Sequence, residues 1–159
     1  MFRRLRNFLG QPRPRRKLLV ETTAELLRAW WLVRRHPFNA YAATLGQTRP
    51  GEFEASHNMA LAPLREFRWA LKRVNRLARG RFTCLMLAIA AKRMLDRRGM
   101  ANTLVLGVRP DKGADDDPFG AHAWLRAGPH IVIGQEERAG HIPVVSYHSS
   151  PDAGVSSAA

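Results

Sequence analysis

A cysteine and a histidine, the residue types of a thiol nucleophile and its base, occupy positions in this sequence that suit catalysis. Cys84 is the single cysteine of the chain, and it follows Thr83 where an apolar stripe with helical spacing begins. A helix N-terminus stabilises a thiolate through unpaired backbone N–H groups and its dipole, so this position suits a nucleophile. A cysteine on an apolar helix also serves as a small buried hydrophobe, and the spacing alone leaves both interpretations open.

A thiol nucleophile needs a base, and His122 is the leading candidate. In the run AHAWLRA it alternates with small and apolar residues on a predicted strand, so that His122 and Trp124 face the same side. If that side faces the start of the Cys84 helix, the two residues form a pair that can drive acyl transfer. A strand histidine also occurs in purely structural roles. No histidine pair has the spacing of a zinc site, and no cofactor is predicted; an ATP requirement stays open.

The elements that must position these residues are helices first and strands second. Apolar periodicity predicts helices over 17–35, ended by His36-Pro37, over 61–78, and from Cys84 to a basic last turn before Gly99. The run GQTRPGEFEASHN between the first two helices predicts a loop. Alternation then predicts four short strands, over 103–109, 121–127, 130–134 and 142–148, with a Gly128-Pro129 hairpin between the middle two.

This order predicts an α+β fold, with N-terminal helices packed on a small antiparallel sheet. We expect a flexible basic segment over 1–16, a single domain over 17–148 and a disordered tail over 149–159. One cysteine favours a reducing compartment, and no secretory signal or membrane-spanning run is present in the sequence. A cytoplasmic protein is therefore predicted.

Positive charge is concentrated in the first hundred residues. The chain carries 26 Lys and Arg against 13 Asp and Glu, and residues 1–100 alone have a net charge of +16. Such a region attracts nucleic acid, anionic lipid or an acidic protein or peptide. The sequence contains no motif typical of RNA or DNA binding, so a nucleic-acid partner is not expected.

Several motifs in order resemble a known family. The runs CLMLAIAAKRMLDRRGMANTLVLGVRP, FGAHAWLRAGPHIVIG and PVVSY, with LLRAWWLVRRHPFNAYAATLG upstream, are similar to the B2 proteins of lasso-peptide biosynthesis. The resemblance covers most of residues 17–148. It implies a transglutaminase-like, papain-related cysteine-protease fold.

The resemblance also implies an activity and partners. Such a protein removes the leader from a ribosomally made precursor peptide, after which a separate macrolactam-forming cyclase closes the core. A small winged-helix protein binds the leader and delivers it. On this basis Cys84 attacks the last carbonyl of the leader, His122 moves the proton, and the Cys84 backbone N–H contributes to an oxyanion hole.

One position departs from that family. Its members place an aspartate about a dozen residues after the histidine, and here the matching residue is Gly134 or close to it. Glu136 is the predicted substitute; Glu137 or a backbone carbonyl are the alternatives, and both glutamates could equally be solvated turn residues. The missing aspartate also favours a second hypothesis, in which the chain is a non-catalytic basic adaptor of a peptide-maturation complex or a nucleic-acid binder.

Overall fold

The first helix begins earlier than the apolar periodicity indicates. The computed structural model describes residues 10–54, 60–109 and 120–150, and in it helix α1 spans Arg13–Arg35. Pro14 lies in its first turn, where a missing backbone N–H costs no hydrogen bond. The expected flexible segment over 1–16 is therefore wrong for its last four residues, while residues 1–9 lie outside the described part. The helix ends at Arg35, with His36 as its C-cap before Pro37, as predicted.

A short strand occupies part of the predicted loop. After helix α2 (Phe38–Ala42) and a 3₁₀ turn (Ala43–Leu45), strand β1 (Gln47–Pro50) pairs antiparallel with the last strand of the chain. All four of its residues are exposed, so no apolar alternation reveals it. Pro50 is tolerated because β1 lies at an edge of the sheet. The loop prediction is wrong for these residues.

The other two helices are confirmed. Helix α3 spans Leu61–Leu77 and helix α4 spans Cys84–Asp96. The predicted N-cap is also confirmed, because Thr83 Oγ1 accepts a hydrogen bond from the Met86 N–H at 3.5 Å. The thiol-bearing residue is therefore the first residue of α4.

The sheet contains five antiparallel strands in the order β1-β5-β2-β3-β4. Its remaining strands are β2 (Asn102–Val108), β3 (His122–Ala127), β4 (His130–Ile133) and β5 (Ile142–Ser149). All four correspond to predicted strands, and the α+β fold is confirmed. Strand β5 includes Ser149, one residue beyond the predicted domain end, and residues 151–159 of the predicted tail lie outside the described part.

Helix α4 lies between the sheet and α1, and it is the most buried helix of the described residues. Ala88, Ala90 and Ala91 are at most 1% exposed, and their small side chains let neighbouring backbones approach closely. Strand β3 contributes Ala123, Leu125 and Ala127 to the same core. Because strand residues alternate, the intervening Trp124 and Arg126 lie on the other face, where both contact Glu52.

A buried carboxylate ties α1 to α4. Glu25 of α1 is 1% exposed and contacts three arginines: Arg28 Nη1 at 2.5 Å, Arg97 Nη1 at 2.7 Å and Arg93 Nε at 3.2 Å. Burial alone would raise the pKa of Glu25, but hydrogen bonds from Arg97 and Arg28 outweigh it and lower the pKa. The carboxylate therefore stays charged at neutral pH and fixes the side of α4 that faces α1.

No helix within the described ranges is both long enough and apolar enough to cross a lipid bilayer.

We predict that Glu25→Ala lowers the free energy of unfolding by about 2 kcal/mol, because it leaves the arginines around a buried site without their counter-ion. The matched control is Glu66→Ala, which removes a pair with Arg15 whose side chains are both 43% exposed, and costs less than about 1 kcal/mol. Urea denaturation measures both values. Since folding lowers the pKa of Glu25, its contribution is full above the ordinary pKa of 4.5 and disappears as pH falls through the folded value. Equal losses for the two variants at pH 7 would contradict the prediction.

Candidate active site

The thiol of Cys84 lies where backbone donors converge. Its residue opens α4, so its own N–H has no partner within the helix. The backbone N–H groups of Ala123 and Leu85 lie near the sulfur and lower the pKa of the Cys84 thiol. The side chain is half-buried, and the thiol remains open to a cleft. These features favour a thiolate in the way that the sequence predicted for a helix N-terminus.

The structure brings His122 to the same cleft as Cys84, close enough for the two side chains to shift each other's pKa. His122 is the first residue of β3 and pairs with Gly107 of β2. The rings of His122 and Trp124 stack on one side of β3, in agreement with the predicted alternation, and Trp124 lies on the face away from the helical core. The imidazole reaches the thiol because it stands at the end of the strand, beside the start of α4.

A backbone carbonyl orients the imidazole. His122 Nε2 lies 2.9 Å from the Gly134 carbonyl oxygen, which can only accept, so Nε2 carries a proton and donates. Nδ1 is then the ring nitrogen left to exchange a proton with the thiol. Gly134 has a φ of +87°, and a Cβ there would lie 2.7 Å from the Ala123 carbonyl oxygen. Only glycine lets this carbonyl reach the ring without strain.

Two aromatic rings flank the imidazole. The Trp124 ring stacks on it with centroids 6.0 Å apart, and the His141 ring lies at 5.2 Å. The Trp124 indole donates to Glu52 Oε1 at 3.2 Å, which fixes its rotation. His122 is only 6% exposed, so the ring has little freedom to turn away from the thiol.

The two side chains change each other's pKa in opposite directions. Burial alone would raise the pKa of the Cys84 thiol, but the hydrogen bond with His122 and the backbone N–H groups outweigh it and lower the pKa. Burial alone would lower the pKa of His122, but the bonds to Cys84 and to the Gly134 carbonyl raise it overall. Both shifts favour a thiolate beside an imidazolium.

The pair lies in a cleft of about 410 Å³. Leu87, Ile133 and Phe82 make its apolar wall, and Lys72, Glu136 and Glu137 contribute charged groups. A cleft of this size admits a short stretch of peptide. The arrangement can therefore transfer an acyl group through a thioester.

Comparison with known proteins agrees with this geometry. The family model described as the transglutaminase-like superfamily matches residues 18–146. The chain belongs to the transglutaminase-like superfamily. Members of this superfamily are commonly cysteine peptidases or transglutaminases. Neither the curated proteins nor the solved structures give a significant match to the chain.

In this superfamily member, the third predicted site residue does not reach the imidazole. Glu136 contacts Lys72 Nζ and, at 2.8 Å, Arg68 Nη2, both from α3. These bonds, that of Lys72 first, lower the pKa of Glu136 to about 2. The prediction of Glu136 as the acid beside His122 is therefore wrong, because two cations on α3 turn it away. Glu137 is the nearer acid, with Oε2 3.9 Å from His122 Nε2, and its side chain is 68% exposed.

Sequence reasoning missed most of the groups that support the pair. An unspecified backbone carbonyl was one of three alternatives, and the sequence did not identify it as that of Gly134, because a backbone group has no residue type by which a pattern could select it. Glu52 lies in the predicted loop, and nothing local connects it to Trp124. The Lys72–Glu136 contact joins residues 64 positions apart, so no spacing rule indicates it.

We predict that His122→Ala raises the pKa of the Cys84 thiol, because it removes the partner of the thiolate and leaves burial in place. Alkylation by iodoacetamide, followed by intact mass against pH, reports on this thiol alone. At pH 6 the alkylation rate should fall at least about tenfold, which corresponds to one pKa unit of lost thiolate. His130→Ala, which removes a histidine from β4, should leave the profile unchanged. A His122→Ala profile identical to that of the wild type would contradict the prediction.

The two neighbouring glutamates give a separate test. Glu137→Gln should lower the pKa of His122 by less than about 0.7, the effect expected for one exposed charge. Glu136→Gln should change it less, because that carboxylate is bound to Lys72 and Arg68. NMR titration of the histidine ring protons, with His122→Ala for assignment, measures both values. A larger drop in Glu136→Gln would restore Glu136 as the orienting acid.

Proposed function

We propose that this chain is a cysteine peptidase that removes the leader from a lasso-peptide precursor. The observation that carries the proposal is the Cys84–His122 pair, with shifts toward thiolate and imidazolium, open to a peptide-sized cleft. Membership of the transglutaminase-like superfamily supports the thiol chemistry. The ordered motifs shared with lasso-peptide leader peptidases support the choice of substrate.

The chemistry follows from the positions of the atoms. The Cys84 thiolate attacks the carbonyl carbon of the last leader residue, and the electron pair of the C=O bond moves onto oxygen. When the C=O bond re-forms, the C–N bond breaks and the leaving amine takes the proton from His122 Nδ1. His122 then accepts a proton from water as it attacks the thioester. The C–S bond then breaks, which releases the leader as a carboxylate and restores the Cys84 thiolate. The core, with its free α-amine, has already left when the C–N bond broke.

The charge distribution supports a partner-dependent reaction. The net charge of +16 in residues 1–100 favours an acidic leader segment or an acidic partner surface through long-range attraction. The proposed partners are a winged-helix protein that binds the leader and a cyclase that uses the freed amine. The groups that lower the pKa of the Cys84 thiol all belong to this chain, and so the alkylation test applies to the chain without its partners.

We predict that the protein, mixed with a lasso-peptide precursor and its leader-recognition protein, cleaves one peptide bond at the leader–core junction. Cys84→Ser and His122→Ala should each reduce the rate by at least about 10³-fold, because each removes a member of a cooperative pair. Mass spectrometry of the two products measures the rate and locates the cut. Glu66→Ala, on the surface away from the cleft, is the control with unchanged cleavage.

Three other outcomes of the cleavage and alkylation tests would contradict the proposed function. Transfer of the acyl group to an added primary amine, in preference to water, would contradict the peptidase proposal and indicate a transferase. Rapid alkylation without cleavage of any precursor would contradict leader removal. A thiol that stays inert at pH 9 would contradict both and favour the adaptor hypothesis.

A further inference from the structure

Asn75 lies in the wall of the thiol cleft and has no part in the mechanism above. It belongs to the last turns of α3, nine residues before Cys84, and is half-buried. It lines the same cleft as Cys84, His122 and Gly134. A carboxamide beside a nucleophile can donate to a substrate oxygen, and so the direction of its amino group matters.

A backbone donor fixes the direction of the Asn75 amide. The Phe82 N–H donates to Asn75 Oδ1 at 3.2 Å. Because an N–H can only donate, the oxygen must face Phe82 and Nδ2 must point the other way. Throughout residues 10–54, 60–109 and 120–150, no protein acceptor is within hydrogen-bond distance of Nδ2. The amide therefore carries a spare donor in a cleft wall.

The same residue is held rigidly by its backbone. Its carbonyl oxygen accepts from the Gly80 N–H at 2.9 Å, in the turn that leads from α3 to Cys84. Gly80 has a φ of +72°, and Arg79 before it has a φ of +57°, so this turn is tightly specified. Asn75 thus binds two residues, Gly80 and Phe82, of the segment that leads to the thiol. A donor held in this way needs no reorganisation when charge develops nearby.

Other polar side chains of the cleft are unsuited to the same task. Lys72 is bound to Glu136, and both glutamates present acceptors to the cleft. His122 donates through Nε2 to the Gly134 carbonyl, and the proposed mechanism assigns Nδ1 to proton transfer. Asn75 Nδ2 is the donor left over, and it is neutral, so it would stabilise a developing oxyanion without changing the charge of the site.

We propose that Asn75 Nδ2 is the second oxyanion-hole donor of this enzyme, acting with the Cys84 backbone N–H. The inference rests on the proposed thiol acyl transfer and adds a catalytic residue to it. As the thiolate attacks, the C–S bond forms and the carbonyl electron pair moves onto oxygen. That oxygen accepts hydrogen bonds from the two N–H groups until the C=O bond re-forms and the leaving group departs.

The test compares two reactions of the same thiol in the purified full chain. In p-nitrophenyl acetate, the thiolate attacks a carbonyl and p-nitrophenolate leaves, so an oxyanion forms. In iodoacetamide, the thiolate displaces iodide from a CH₂ group, and no oxyanion forms. The ratio of the two rates therefore cancels any change in the thiolate fraction. Asn75→Ala should lower this ratio by about 100-fold, as for loss of one oxyanion-hole donor.

Asn75→Asp distinguishes the proposed donor role of Asn75 from its structural bond to the Phe82 N–H. It keeps an oxygen that accepts from the Phe82 N–H but lacks the donor, so the ratio should stay as low as in Asn75→Ala. Recovery of the wild-type ratio in Asn75→Asp, or an unchanged ratio in Asn75→Ala, would overturn the inference. Asn39→Ala, an exposed asparagine on α2, is the control with an unchanged ratio. A wild-type protein that alkylates rapidly but is never acylated would overturn the proposed function together with this inference.

Discussion

The burial of α4 is the constraint on which the rest of the structure depends. A helix whose middle is packed on the sheet and on α1 cannot slide or rotate without opening the core. Its first residue is therefore fixed relative to the strand that carries His122. The alanines in its buried face allow the close approach, and Thr83 fixes where the first turn begins. The position of Cys84 relative to His122 therefore depends on the packing of the whole core.

Two carboxylates, the buried Glu25 and the half-buried Glu52, hold together arginines that would otherwise repel one another. Glu25 collects arginines from α1 and α4, and Glu52 collects Arg126 and Arg138 on the other side of the sheet. Burial alone would raise the pKa of Glu52, but bonds from Trp124 and Arg138 lower it overall. Each carboxylate converts like charges, which would separate, into a connection between elements. Glu52 also holds the indole that stacks on the imidazole, and so this connection extends to the active-site pair.

The sequence predicted the parts of this site that local patterns encode. A capping threonine before Cys84 and the two-residue alternation around His122 are visible in short windows. Their juxtaposition was conditional, because alternation does not say which side of a strand faces the helix. Strand β1 has no such signal, because its exposed residues acquire meaning only by pairing with β5 about a hundred residues later. Glu136 and Glu137 are adjacent in a turn, and the choice between them depends on cations from α3 that no local pattern connects to the turn.

The use of a main-chain carbonyl at Gly134 has a consequence for how the imidazole behaves during a reaction cycle. A carboxylate would hold an imidazolium through a full negative charge, whereas a carbonyl holds it through a dipole, which retains the extra proton less strongly. The ring keeps the same orientation when neutral and when charged, because Nε2–H donates in both states. In the proposed reaction, His122 therefore gains and loses its proton through Nδ1 alone. An orienting group of this kind has no pKa of its own in the working range, so it adds no further ionisation to the enzyme's dependence on pH.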